Sequence, residues 1–162
     1  MLEETKKTIR LIIIAILLVI IIYFATVFTF VGAGARSRGN EKQITQLAES
    51  KTPIVQVNKY YHLDRGVSSY SLSGTDKKGM QYYFIYRTHR RKAYLYPASK
   101  GVSENSIRQK FKQENSGKIR SINLGWYHGQ AVWEVAFSQK SGLGYQIYSF
   151  KDGKSLSRIE NL

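Results

Sequence analysis

Apolar and polar positions follow three rhythms along this chain. From Leu11 to Val31 the run is simply apolar: 21 residues without a charge, Pro or Gly, sixteen of them Leu, Ile, Val or Phe. As a helix this run is about 31 Å long, close to the ~30 Å hydrocarbon core of a bilayer. Insertion of such a run is favoured by about 6 kcal/mol. The pattern predicts a transmembrane signal-anchor helix over 11–31, preceded by a cytoplasmic tail of residues 1–10. Residues 32–39, Gly-Ala-Gly-Ala-Arg-Ser-Arg-Gly, predict a flexible tether. A helical period follows. Asn40 is a fair N-cap, and Ile44, Leu47 and Ala48 fall on one face before Pro53.

After Pro53 the period becomes two. Strands are predicted from Ile54 to Tyr61, around Tyr70 and Leu72, from Gln81 to Tyr86, and from Ala93 to Tyr96. Leu63-Asp64-Arg65-Gly66 and Asp76-Lys77-Lys78-Gly79 read as turns. From Ser103 the order starts again: a capped helix with Ile107 and Phe111 on one face, then strands over 119–127, 132–138, 145–151 and 155–159. Asp152-Gly153 is the strongest hairpin signal. The halves match at a constant offset of 63 residues: Ile44 with Ile107, Tyr70 with Trp133, Gly79 with Gly142, Tyr82 with Tyr145. A shared offset across helix, turn and strand points to duplication. The expected fold class is α+β: one N-terminal transmembrane helix, then two tandem units over 40–98 and 99–162, each a helix packed on a small antiparallel sheet.

Charge and composition narrow the partners. The formal net charge is +14; the first ten residues contribute +1, leaving +13 for the rest. Such a field favours anionic partners. Twelve Tyr and seven Phe against two Pro suit a β-rich fold. The absence of Cys excludes disulfides, thiolate metal sites and a Cys nucleophile. The positive-inside count is even: Lys6, Lys7 and Arg10 before the run, Arg36, Arg38 and Lys42 after it. The short cationic tail favours an N-terminus inside and C-terminal units outside the cytoplasmic membrane. Ala33-Gly34-Ala35 has the form of a cleavage site, but the long apolar run favours an uncleaved anchor.

Catalytic chemistry finds little footing in the sequence. His62, His89 and His128 are scattered, with no metal-ligand spacing and no paired carboxylates. His62, Asp64 and Ser68 invite a triad reading that depends on their meeting in space. We expect no enzyme, no catalytic residue, no cofactor and no metal. Candidate contact residues are Arg87, Arg90, Arg91 and Lys92 in the densest basic run, with Trp126 and Tyr127 at a strand end. Trp133, central in an alternating strand, reads as core. Nucleic acid is the generic partner of a basic run, but the expected external placement excludes it.

The outer part resembles the TseB-like (YpmB-like) cell-wall elongation regulators, which are built from two PepSY-like domains. The resemblance rests on Tyr70-Ser71-Leu72-Ser73-Gly74 and Asp76-Lys77-Lys78-Gly79. In the second half it rests on Gly125, Val132-Trp133-Glu134-Val135, and Tyr148 with Asp152-Gly153. It implies two PepSY-like units, a Gram-positive type cell surface, and a link to peptidoglycan elongation through a penicillin-binding transpeptidase. The expected function is therefore a non-enzymatic, membrane-anchored interaction module regulating cell-wall elongation. The alternative is an inhibitor or chaperone-like module acting on a surface peptidase. The high charge adds anionic wall polymer or lipid as a further partner.

Overall fold

The computed structural model describes residues 2–140 and 142–160; within them, side chains are described for 14–26, 39–140 and 142–160. It divides into two compact units, 1–42 and 43–162. Helix α1 runs from Leu2 to Lys51 without a break, so the Gly- and Ala-containing stretch 32–39 is helical backbone. Ala and Arg are strong helix formers, and three isolated Gly at ~1 kcal/mol each do not interrupt a long flanking helix. In the first unit the apolar side chains from Ile14 to Phe24 are exposed.

The membrane-spanning expectation is corrected here. Among the described residues, no helix is long and apolar enough to cross a membrane. The single-pass signal-anchor and the extracellular placement fall with it. Apart from 14–26, the side chains of the apolar run, with those of the cationic tail and the Ala33-Gly34-Ala35 motif, lie outside the described ones.

The second unit is α+β with two four-stranded antiparallel sheets, each a simple meander. Strands β1 (Gln56–Asp64), β2 (Ser68–Thr75), β3 (Gln81–Arg87) and β4 (Lys92–Pro97) form the first sheet in that order. A short 3-10 turn, Ala98–Lys100, leads to helix α2 (Glu104–Glu114). Strands β5 (Lys118–Tyr127), β6 (Gln130–Gln139), β7 (Gly142–Ser149) and β8 (Ser155–Ile159) form the second sheet. The offset of 63 recurs in the elements. Shifted by 63, the helical stretch 41–51 becomes 104–114, and Gln56–Asp64 becomes 119–127, one residue inside β5.

Local chemistry sets the boundaries. Ser103 caps α2, its Oγ accepting from the Ser106 N–H at 3.1 Å. Asp76 Oδ1 accepts from the N–H groups of Lys78 (2.8 Å) and Met80 (2.9 Å), closing the β2–β3 turn. The two-residue β5–β6 turn has φ of 43° at His128 and 85° at Gly129, as a type I′ hairpin requires.

The first sheet is buried on both faces. Leu72 and Phe84 pack with Ile44 and Ala48 of α1 and with Ile54. On the opposite face Tyr61, Tyr83 and Ile85 join the main core, with Ile107 and Phe111 of α2 and Trp133, Val135, Phe137, Tyr148 and Phe150 of the second half. Tyr61 and Tyr83 each meet Trp133 edge-on, with centroids 5.5 Å apart. Trp133 is fully buried, its indole N–H donating to the Val102 carbonyl at 2.7 Å. Truncating such a side chain costs about 3–5 kcal/mol. Behind the second sheet, Leu63 from the β1–β2 hairpin packs on Val132 and Ile147.

Candidate partner-binding site

The basic run ends the β3–β4 hairpin. Arg87 pairs with Lys92 across the ladder, and Thr88 to Arg91 make the turn. Arg91 takes φ of 48°, a left-handed conformation rare for a long side chain, with its N–H donating to the Thr88 carbonyl at 3.3 Å. Arg90, Arg91 and Lys92 are exposed, whereas Arg87 is half-buried. The Arg87 guanidinium carbon lies 4.9 Å from the Trp126 ring centre, and its Nη1 is 3.4 Å from the Tyr94 hydroxyl. The Tyr94 ring stacks on Trp126 with centroids 4.1 Å apart and planes 20° off parallel. The Lys92 ammonium lies 5.8 Å from the Tyr94 ring centre.

Strand period two sets this row. Lys92, Tyr94 and Tyr96 share one face of β4, and the two tyrosines find their ring partners in the second half. Tyr96 meets Phe150 at 5.3 Å, and Phe150 meets Tyr83 at 5.4 Å. Burial, followed by the neighbouring Tyr94, pushes the Tyr96 hydroxyl pKa up. Beside the row lies an open groove of about 430 Å³, with Tyr96, Trp126 and Phe150 as its aromatic wall and Lys100 and Lys151 as its cations.

Two donors in this cluster lack acceptors. Trp126 is 6% exposed, and its Nε1 and the Nε of Arg87 are buried without a hydrogen-bond partner. Such groups cost roughly 1–3 kcal/mol each when left unmade. The charges show the same imbalance. Lys59, Arg65, Arg108, Lys110, Lys154 and Arg158 each have a carboxylate partner. Among the described residues, Arg87, Arg90, Arg91, Lys92, Lys100 and Lys151 have none, and neither do cations elsewhere such as Lys77, Lys78, Lys118 and Arg120.

Of the residues singled out in the sequence, Arg87 lies against Trp126 and pairs with Lys92 across the ladder, and Arg90 and Arg91 cap the same hairpin. Trp126 is buried, with the Tyr94 ring of the first half stacked over it. Tyr127 points to the other face, against Leu63, Val132 and Ile147, with the His128 ring 4.1 Å away. Sequence reasoning missed Tyr94, Tyr96, Lys100 and Phe150; the Tyr-x-Tyr alternation directly after the basic run was their available signal.

The remaining polar clusters are structural in character. His62 Nε2 and Ser68 Oγ are 3.2 Å apart on an exposed hairpin, where His62 stacks on Tyr70, and no hydrogen bond joins Asp64 to them. Glu104 accepts from Lys59 (2.7 and 2.8 Å), the Tyr61 hydroxyl (3.0 Å) and Arg108 (3.0 Å). Burial pushes the Glu104 pKa up, but those donors outweigh it and the net shift is down. Burial raises the Tyr61 hydroxyl, and the Glu104 charge adds to that. No group of three or more His, Cys, Asp or Glu able to hold a metal occurs among the described residues.

No family model matches this chain, and no curated protein matches it in sequence. A solved structure does match: the YpmB protein from Bacillus subtilis, with a TM-score of 0.64 and 25% sequence identity, covering 73% of this chain and 94% of that one. The fold is YpmB-like. The coverage spans nearly all of the solved YpmB chain, so the likeness concerns a whole fold and not one shared hairpin.

Proposed function

We propose that this chain is a non-enzymatic interaction module that regulates peptidoglycan elongation by contacting a penicillin-binding transpeptidase. On this reading it is a TseB-like protein, and each helix-plus-meander repeat is a PepSY-like domain. Two supports are the YpmB-like fold and the 63-residue repetition of elements. The observation that carries the reading is the aromatic groove lined by Tyr96, Trp126 and Phe150 with Lys100 and Lys151, beside a row in which Arg87 lies against Trp126 and Lys92 against Tyr94. Aromatic residues and Arg at the centre with a polar, charged rim are the composition of protein–protein interfaces.

The test is capture in the cells that make the protein. A photo-crosslinking residue in place of Arg90, with Lys112 on the exposed side of α2 as the control position, should join the chain to a penicillin-binding protein from the first position only. Recovery of a peptidase instead overturns this reading in favour of an inhibitory or chaperone-like role.

A further inference from the structure

The groove beside Trp126 has a definite ligand chemistry. Its wall is aromatic: Tyr96, Trp126 and Phe150. Its charged groups are cations alone, Lys100 and Lys151, both exposed and both without a carboxylate. Arg87 and Lys92 continue the positive field along the same row. Two buried donors beside the groove have no acceptor, the indole N–H of Trp126 and the Nε of Arg87.

We infer that this groove binds an extended acidic peptide segment, with an aromatic or apolar side chain seated in the groove and carboxylates on either side of it. This deepens the interaction-module reading and rests on it. The volume, about 430 Å³, accommodates one large side chain with its neighbouring backbone and not a folded surface. Carboxylates suit the rim because Lys100 and Lys151, which line the groove with the aromatic wall, are compact point charges. An anionic sugar or polyol-phosphate chain fits less well. Sugars are held by stacking on open aromatic faces, whereas the Tyr94 ring and the Arg87 guanidinium already lie over the Trp126 indole. The electrostatic field is also local. At ~0.15 M salt its reach is about 8 Å, so the carboxylates must lie at the rim itself.

The experiment uses the full chain and three probes: the capped peptide Glu-Asp-Phe-Asp-Glu, its neutral counterpart Gln-Asn-Phe-Asn-Gln, and poly(glycerol phosphate). The readout is NMR of the two indole N–H signals with a binding isotherm from Trp fluorescence. The acidic peptide should bind saturably and move the Trp126 indole signal while leaving that of Trp133, which is already bonded to Val102. Reversing both rim charges, Lys100→Glu with Lys151→Glu, should weaken binding about tenfold or more, as short-range interface charges do. Gln130→Phe, which fills the groove from an exposed position at the start of β6, should abolish it at unchanged melting temperature. Lys77→Glu with Lys78→Glu, at the β2–β3 turn, should leave it unchanged.

Equal affinity for the acidic and neutral peptides overturns the inference. So does equal loss in the Lys77/Lys78 variant, or binding of the polymer without the peptide. Peptide binding combined with capture of no penicillin-binding protein in cells would leave the groove chemistry standing and remove the proposed function.

Discussion

Arg65 Nε lies 2.5 Å from Glu134 Oε2, joining the first hairpin to the middle of the second sheet. The Arg65 guanidinium also lies over the Tyr145 ring, 3.8 Å from its centre. The two ends of the pair are unequal: the Glu134 side chain is 6% exposed and that of Arg65 is 22%. Removing Arg65 therefore leaves a buried carboxylate without its cation. We expect Arg65→Ala to destabilise the fold by about 3 kcal/mol in urea unfolding. The double variant Arg65→Met with Glu134→Leu should recover most of that loss, since burying the pair costs desolvation as well as gaining attraction.

Glu104 gives a pH dependence with a definite sign. Its pKa in the folded protein lies below the ordinary value of 4.5. The stability it contributes is fully present above that ordinary value and is lost as pH falls from there through its own lower value. Glu104→Gln should lower stability at neutral pH and flatten the decline in denaturant midpoint on acidification below about pH 4.5. Tyr61, raised above its ordinary 10.0, works in the opposite direction, its contribution being lost as pH rises beyond 10.0. Tyr61→Phe should accordingly flatten the alkaline limb of the same measurement.

The two sheets come close together at Gly125. A Cβ there would stand 2.3 Å from Leu63 Cβ and 2.6 Å from Ser69 Oγ. That serine accepts the Trp126 N–H at 3.0 Å and donates to the Leu63 carbonyl at 3.3 Å. Gly125→Ala must push the hairpin and β5 apart, at about 1–3 kcal/mol. Thermal unfolding should record the loss, and the indole signal of Trp126 should move even in the folded state.

The basic hairpin separates fold from binding. Arg90, Arg91 and Lys92 are exposed, so replacing all three with Glu should change stability by no more than about 0.5 kcal/mol. Crosslinking to the partner from Gln130, at the groove, should nonetheless fall sharply. Arg87→Ala should cost more stability than the triple change, because its guanidinium packs on Trp126. Calorimetry alongside crosslinking distinguishes the two effects.

Elements with strong local signals were legible in the sequence. Ser103 as a cap, Ile107 and Phe111 as one helical face, and the alternation through Trp133, Val135 and Phe137 all appear in the structure where the periodicity puts them. The 63-residue offset holds for every strand to within two residues at its start. What escaped were relationships between halves. The alternation in β3 shows Tyr82, Phe84 and Tyr86 on one face, but nothing local shows that Tyr83 and Ile85 opposite are buried as well, by the second half. The burial of Trp126 was illegible for the same reason, since its cover, Tyr94, lies 32 positions earlier. The apolar run had the strongest local signal of all, yet among the described residues it gives no membrane-crossing helix.

The link between the halves bears on how two molecules can interfere with one another. Gly101 lies so close to the Phe150 ring that a Cβ would stand 2.2 Å from it. The neighbouring Val102 N–H donates to the Phe150 carbonyl at 2.7 Å, and the Val102 carbonyl takes the Trp133 indole N–H. Two similar sheets on one chain are natural candidates for reciprocal exchange, in which each molecule lends its second sheet to its twin. Here Gly101 and Val102 are themselves packed and bonded into the second half, so an exchange must either break those contacts or hinge upstream of Gly101, which leaves little slack for it between β4 and α2.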